Sequence, residues 1–219
     1  MPEYYPAFLN IEDRPCVVIG GGAVAEQKVK SLLKSKATVR VISPDFTPAL
    51  QELGANEKIT LVQRQYRHGD LHGQFIATAA TDDNTVNEAV FREANERGIP
   101  VNVVDVTRLC SFIVPAVVRR GDITFAVSTG GKSPAMARKV REDLEKFFPE
   151  EYGKLLELVA DIREDLKKSG EKFDPETWNK ALNSNVMNII KDGKRRDAKE
   201  LILSMLRGNA EKKATVKRR

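Results

Sequence analysis

The chain has 219 residues, of which 41% are hydrophobic and 31% are charged, and no apolar run approaches the ~18 residues that a membrane helix needs. Together with an N-terminal segment that lacks the pattern of a secretory signal, this composition predicts a cytoplasmic globular protein without a membrane partner. Residues 207–219 hold six Lys or Arg and one Glu, which equals the net charge of +5 of the whole chain, so the basic charge is confined to a tail. We expect that tail to be disordered over residues 208–219, and a nucleic-acid partner is not favoured.

Strands and helices alternate through the first half of the chain. The strands are β-branched and apolar, and the segments between them place apolar residues at helical spacing. Such an alternation requires parallel pairing through right-handed crossovers, so we expect an α/β, Rossmann-like, doubly wound sheet of order 3-2-1-4-5. The predicted strands are Cys16–Gly20, Thr38–Ser43, Lys58–Gln65, Gln74–Ala80 and Pro100–Asp105.

The pattern changes after Asp105. Residues 111–130 predict two strands around a turn at Arg120–Asp122, and a helix begins at Ser133 and Pro134. Three helical runs follow, at Tyr152–Lys168, Pro175–Ile190 and Asp197–Leu206. We therefore divide the chain into a dinucleotide-binding domain (residues 1–111), a small α+β segment (112–149), a helical C-terminal region (150–207) and the basic tail (208–219).

The glycine-rich segment Gly20–Ala25 closes the first strand and opens a helix, and it matches the pattern GxGxxG/A. In that context glycines let backbone N–H groups approach the pyrophosphate of a dinucleotide. An acidic residue near the end of the second strand favours NAD over NADP. This chain has Ser43 at that position and Asp45 two residues later, with no Arg to hold a 2′-phosphate, so NAD is the expected cofactor.

Asp105 is predicted to end the fifth strand, on the nicotinamide side of the switch point between strands 1 and 4. A carboxylate there can accept a proton as hydride leaves a substrate. The alternative is that Asp105 is a turn or capping residue.

The segment Ser128–Pro134 resembles a phosphate-binding P-loop, but Ala126 stands where that motif has its first glycine, so we reject nucleotide hydrolysis. We retain an anion site at the helix start beside Lys132.

The cysteines and histidines do not predict a metal site. Cys16 and Cys110 lie in apolar strand-like segments without CxxC or Cys/His spacing, which predicts buried thiols. His68 and His72 have the spacing of metal ligands on a helix, but neighbouring glycines and the lack of a third ligand favour a surface loop.

The order of four motifs, VVIGGGAVAEQKVKSLL, ATAATDDNTVN, VNVVD and SFIVPAVVRRGDITFAVSTGGKSPAMARKVRE, resembles the precorrin-2 dehydrogenase and sirohydrochlorin ferrochelatase family, which includes the N-terminal module of siroheme synthases. The resemblance spans residues 5–150. It implies oxidation of precorrin-2 to sirohydrochlorin with NAD⁺, a homodimer built through the segment after the Rossmann domain and, in some members, insertion of Fe²⁺. Lys36 departs from the glycine usual there, which costs little if its backbone avoids positive φ.

Carried over by motif, the resemblance makes Asp105 the catalytic residue. The expected cofactor contacts are Gly20, Gly22, Ala23, Val24, Ser43, Pro44, Asp45 and Thr81. The expected substrate contacts are Ser128, Gly130, Gly131, Lys132 and Ser133. A non-catalytic NAD-binding sensor is the alternative function, because it would need the glycine turn but neither Asp105 nor the helix start at Ser133.

Overall fold

The structure is a computed structural model that describes residues 3–216, with side chains described for residues 3–208. It divides into two compact units. The first ends at Val114 and also includes Gly130–Lys132, and the second consists of Pro115–Thr129 and the chain from Ser133 onward. Among the described residues, none of the helices combines the length and the apolar character needed to cross a membrane.

The first unit is built on a five-stranded parallel sheet of order β3-β2-β1-β4-β5, which confirms the predicted order. Every residue of β4, and all of β1 except its first, is buried, as expected for central strands covered on both faces. The strands are β1 (Pro15–Ile19), β2 (Thr38–Ser43), β3 (Thr60–Gln63), β4 (Ile76–Ala79) and β5 (Val101–Val103).

Three helices cover this sheet, α1 (Ala23–Lys34), α2 (Pro48–Ala55) and α3 (Asn84–Arg97). Helices α1 and α2 pack their apolar residues into a cluster with Val18 and Val41, and α3 packs into a second cluster with Val17 and Ile19. Because successive strand residues point to opposite faces, these two clusters are the two faces of one sheet. The crossovers therefore leave the carboxyl ends of β1 and β4 as a switch point.

Lys36 follows α1 in the left-handed backbone region, with φ of 58°. The condition under which the departure from glycine would cost little, a backbone without positive φ, is therefore not met. Its N–H donates to Leu33 O, and the N–H of Ala37 donates to Leu32 O, the hydrogen bonds of a helix end that turns into the left-handed region. Only glycine enters that region without steric cost, so Lys36 carries backbone strain of about 1 kcal/mol.

The second unit begins with an antiparallel hairpin and a helix, as predicted. Strands β6 (Ala116–Arg120) and β7 (Ile123–Val127) pair across the turn, and α4 (Pro134–Phe147) follows with Ser133 as its capping residue. The Arg120 side chain donates from Nε to Phe148 O at 2.6 Å, which ties the hairpin to the end of α4.

The rest of the second unit is helical, but its segmentation differs from the prediction. The run expected over Pro175–Ile190 is two helices, α6 (Pro175–Ala181) and α7 (Ser184–Lys191), because Asn183 caps the second one. They pack with α5 (Glu151–Ser169) and α8 (Arg195–Val216) around a separate core. Helix α8 extends into the segment for which a disordered tail was expected, and residues 217–219 of that segment lie outside the described residues.

Candidate dinucleotide site

The turn after β1 can be built only from glycine at its first two positions. Gly20 has φ of 117°, and a Cβ atom added to it would lie 2.2 Å from Ala80 O. A Cβ atom on Gly21 would lie 1.9 Å from the carbonyl oxygen of Asp45. Both clashes are with backbone and cannot be relieved by a rotamer change. The loops after β2 and β4 therefore close directly on this turn.

The third glycine is different. A Cβ atom on Gly22 would meet nothing within 4 Å, although Gly22 is the N-cap of α1 and no side chain caps that helix. Gly22, Ala23 and Val24 are all exposed. The first-turn amide groups of a helix carry partial positive charge and accept an anion readily. The start of α1 is thus open to a pyrophosphate, and Gly22 keeps the approach free of side-chain atoms.

The other predicted cofactor residues surround this turn. Ser43 is buried, and its Oγ lies 2.9 Å from the position of a Cβ on Gly21, so its hydroxyl packs against the turn. Pro44 and Asp45 are exposed, which leaves the Asp45 carboxylate available to a ribose hydroxyl. Thr81 is the second residue of the loop after β4, and its hydroxyl oxygen accepts from the N–H of Asp83.

The prediction that Asp105 ends the fifth strand is wrong, because β5 ends at Val103. Asp105 lies two residues later in a turn, exposed, with φ of 61°. The left-handed backbone, which Asp tolerates better than most residues, ends the strand pairing here. The carboxylate is exposed at the carboxyl end of β5, at the edge of the sheet that also carries the glycine turn.

Lys28 on α1 is a charged neighbour of Asp105 that the sequence did not single out. Burial lowers the pKa of Lys28, and the Asp105 carboxylate and Cys110 oppose that shift. Cys110 is only half-buried, against the prediction, and its Sγ donates to Val103 O at 3.1 Å. Burial raises the pKa of the Cys110 thiol. The sequence feature that could have indicated the partial burial of Lys28 is its position three residues after Ala25, on the side of α1 that packs on the sheet.

The segment predicted to contact substrate forms a tight turn before α4. Gly130 and Gly131 have φ of 61° and 82°. Thr129 Oγ1 accepts from the N–H of Ser133, and Ser133 Oγ accepts from the N–H of Met136 at 3.1 Å. The N–H of Met136, one of the helix-start amide groups expected to bind an anion, is therefore already hydrogen-bonded to Ser133.

Cationic side chains near this turn differ in their availability. Lys132 is exposed. Arg141 forms ion pairs with Glu142 and Glu145, so its charge is largely committed within α4. Ser128, Thr129 and Ser133 belong to the second unit, and Asp105 belongs to the first. The predicted substrate contacts therefore remain predictions.

His68 and His72 lie in the loop between β3 and β4, as predicted, and not on a helix. The described side chains include no group of three His, Cys, Asp or Glu arranged to hold a metal ion. Cys16 is buried, which confirms the prediction of a buried thiol. Burial raises the pKa of this thiol to about 11.

Glu93 organises that loop. This fully buried carboxylate of α3 accepts from Tyr66 Oη at 2.5 Å and from the N–H groups of Gly69 and Leu71, and it pairs with Arg97 at 2.7 Å. Burial raises the pKa of Glu93, but the hydrogen bonds that the carboxylate accepts outweigh burial and hold the pKa below its usual range. Its role is structural, because all four partners are the chain's own groups.

Comparison with protein families gives two adjacent matches. The profile of a family described as "Putative NAD(P)-binding" matches residues 7–116, and that of a family described as sirohaem biosynthesis protein, central, matches residues 120–146. The first match covers half of the chain and contains the glycine turn, Asp45 and Asp105.

Among curated proteins, the siroheme synthase of Photobacterium profundum is 37% identical over 205 residues and that of Methylobacillus flagellatus is 44% identical over 166 residues. These alignments cover 93% and 76% of this chain, which spans only 44% and 36% of the two relatives. A solved structure of "SirC, precorrin-2 dehydrogenase" superposes with a TM-score of 0.74, covering 92% of this chain and 100% of its own, at 22% identity. That identity supports a shared fold.

Proposed function

The chain belongs to the NAD(P)-binding family whose profile matches its residues 7–116, and on that premise we propose that it is an NAD-dependent dehydrogenase that oxidises precorrin-2 to sirohydrochlorin. The siroheme synthases that align with most of the chain support the pathway, and the precorrin-2 dehydrogenase of the same fold supports the reaction. The observation that carries the proposal is an uncapped helix start at Gly22 on the same sheet edge as the exposed carboxylate of Asp105.

The residues around the glycine turn fit a dinucleotide. Two glycines are required by backbone contacts, and the third faces open space, where a diphosphate would approach the amide groups of α1. NAD⁺, when bound, supplies the hydride acceptor. We assign the adenosine ribose to Asp45, whose exposed carboxylate can accept from the ribose hydroxyls and would repel a 2′-phosphate. Calorimetry should therefore show tighter binding of NAD⁺ than of NADP⁺, and the reverse order would contradict the assignment.

Asp105 supplies the proton acceptor. The oxidation removes one hydride and one proton from the tetrapyrrole, so positive charge develops on the ring system as the hydride leaves. A carboxylate beside that system stabilises the developing charge and then takes the proton. The same base could accept pyrrole protons if the protein also inserts Fe²⁺ into the product, and supplying sirohydrochlorin with Fe²⁺ tests that second activity.

A homodimer is part of the proposal. Helix α4 exposes Met136, Val140 and Phe147, and their spacing of four and seven residues places them on one face of the helix. Phe147 is 73% exposed, which is unusual for a side chain of its size. A second copy covering this stripe would remove it from water. Light scattering should give the mass of a dimer, and a monomer at micromolar concentration would contradict this part of the proposal.

The experiment that tests the function is anaerobic incubation of the protein with precorrin-2, with NAD⁺ or without it. We expect sirohydrochlorin to form only when NAD⁺ is present. The competing hypothesis, a non-catalytic sensor, predicts NAD⁺ binding without any product. The cytoplasmic location remains part of the same proposal.

A further inference from the structure

The sheet has a polar strip on one face at its β4–β5 side. Thr78 of β4 pairs directly with Asn102 of β5, and both side chains are buried on the face that α1 covers. The next residue of the same row, Val18 of β1, is apolar, as are the neighbouring positions of β2. The Asn102 amide donates to Phe112 O at 3.2 Å, so this part of the strip is satisfied within the chain, and the strip places polar side chains on the switch-point side of the sheet.

Lys28 stands over the same face. It lies three residues after Ala25 and four before Leu32, two residues of α1 that pack into the cluster on this face, so its stem follows their side of the helix. Lys28 is half-buried, and none of the described side chains places a carboxylate within ion-pair distance of its ammonium group. By contrast, Lys30 of the same helix pairs with Glu26.

Burial lowers the pKa of Lys28, and the negative charges of Asp105 and Cys110, near the end of β5, oppose that shift. Cys110 in turn accepts from the N–H of Val103 at 3.3 Å and from the side-chain amide of Asn102 at 3.5 Å. The half-buried ammonium group of Lys28 is therefore within electrostatic reach of one carboxylate and one thiol near the end of β5. A half-buried cation without an ion-pair partner is stabilised when an anion arrives.

We infer that Lys28 is a substrate-binding residue whose ammonium group receives a carboxylate arm of the tetrapyrrole and so holds the ring system against Asp105. The inference rests on the proposed function, since it assigns a recognition group to that site. The contact would be charge-assisted, and it would orient the substrate without taking part in proton transfer. Its loss should therefore weaken substrate binding and leave the chemical step largely intact.

The test compares Lys28→Met, Lys28→Arg and the matched control Lys34→Met, which changes an exposed lysine of the same helix. Methionine keeps the length and apolar stem of lysine and removes only the charge. The measurements are KM for precorrin-2, kcat, equilibrium binding of sirohydrochlorin without turnover, and binding of NAD⁺ by calorimetry. Because a charge-assisted contact is lost, Lys28→Met should raise KM and the Kd of sirohydrochlorin about 10- to 100-fold.

The inference also requires that kcat and the affinity for NAD⁺ stay within about threefold of wild type, that Lys28→Arg restore most of the binding, and that Lys34→Met behave as wild type. Unchanged KM and sirohydrochlorin binding in a folded Lys28→Met protein would overturn it. So would an equal loss of NAD⁺ affinity, which would make Lys28 a cofactor contact, or failure of Lys28→Arg to restore binding. If wild type neither binds sirohydrochlorin nor oxidises precorrin-2, the proposed function itself fails and the inference falls with it.

Discussion

Asp105→Asn is the substitution that separates catalysis from structure most cleanly at this site. Asp105 has φ of 61°, and asparagine tolerates the left-handed region as well as aspartate does, whereas alanine would add about 1 kcal/mol of backbone strain. The side chain is exposed, so the amide is not buried without a partner. The substitution therefore keeps shape and backbone and removes the negative charge and the proton acceptor.

The expected loss follows from those two roles. General-base contributions are about 10²- to 10⁴-fold in rate, so kcat for NADH formation should fall at least ~100-fold, or ~2.7 kcal/mol of transition-state stabilisation. NAD⁺ affinity by calorimetry and the melting temperature should change little, because the helix start at Gly22 lies in a different loop. Near-normal NADH production by a folded Asp105→Asn protein would refute the reasoning and leave Asp105 a turn residue.

Four further substitutions test other parts of the structure. Gly22→Val should keep the fold, because its Cβ enters open space, but it should lower NAD⁺ affinity at least ~100-fold by blocking the pyrophosphate. Gly21→Ala should instead disrupt the turn, because its Cβ would clash with backbone. Calorimetry measures the loss of NAD⁺ affinity, and thermal melting measures the loss of stability. Glu93→Gln should lower the unfolding free energy by about 2 to 4 kcal/mol at pH 7. Because folding lowers the pKa of Glu93, its contribution to the unfolding free energy is complete above the unfolded pKa of about 4.3 and is lost as the pH falls through the folded pKa. The denaturant melts of wild type and Glu93→Gln should therefore converge at low pH. Lys36→Gly should be more stable by about 1 kcal/mol than Lys36→Ala, which loses the same ion pair with Glu12, and equal melting temperatures of the two variants would show that the φ of 58° is not strained.

The sheet could be predicted from sequence because its strands carry their own signal. Strand β1 is a continuous apolar run, and β4 is apolar except for Thr78. Each is followed by a helix, and the helix after β4 has a recognisable start at Asp83, whose carboxylate accepts from the N–H groups of Thr85 and Val86. The boundary of β5 was not predictable in this way. VNVVD looks uniform as a string, but the left-handed backbone of Asp105 depends on the turn that follows, which no residue pattern specifies.

The candidate site was only partly predictable. The glycine pattern located the turn, but it did not distinguish Gly20 and Gly21, which backbone contacts require, from Gly22, which faces open space. Lys28 was missed because a lysine on an amphipathic helix is usually solvated, and its burial depends on how α1 packs on the sheet. The helix break at Asn183 had a local signal, an asparagine N-cap, that the longer apolar periodicity concealed.

The measurement that tests the central claim most directly is the ratio of the two products in one anaerobic reaction. Precorrin-2 and excess NAD⁺ are incubated with the protein, and sirohydrochlorin and NADH are quantified from their separate absorption bands. Transfer of one hydride to the dinucleotide predicts one NADH for each sirohydrochlorin formed. Sirohydrochlorin that accumulates without NADH, or NAD⁺ binding with neither product, would contradict the assignment of this chain as an NAD-dependent dehydrogenase.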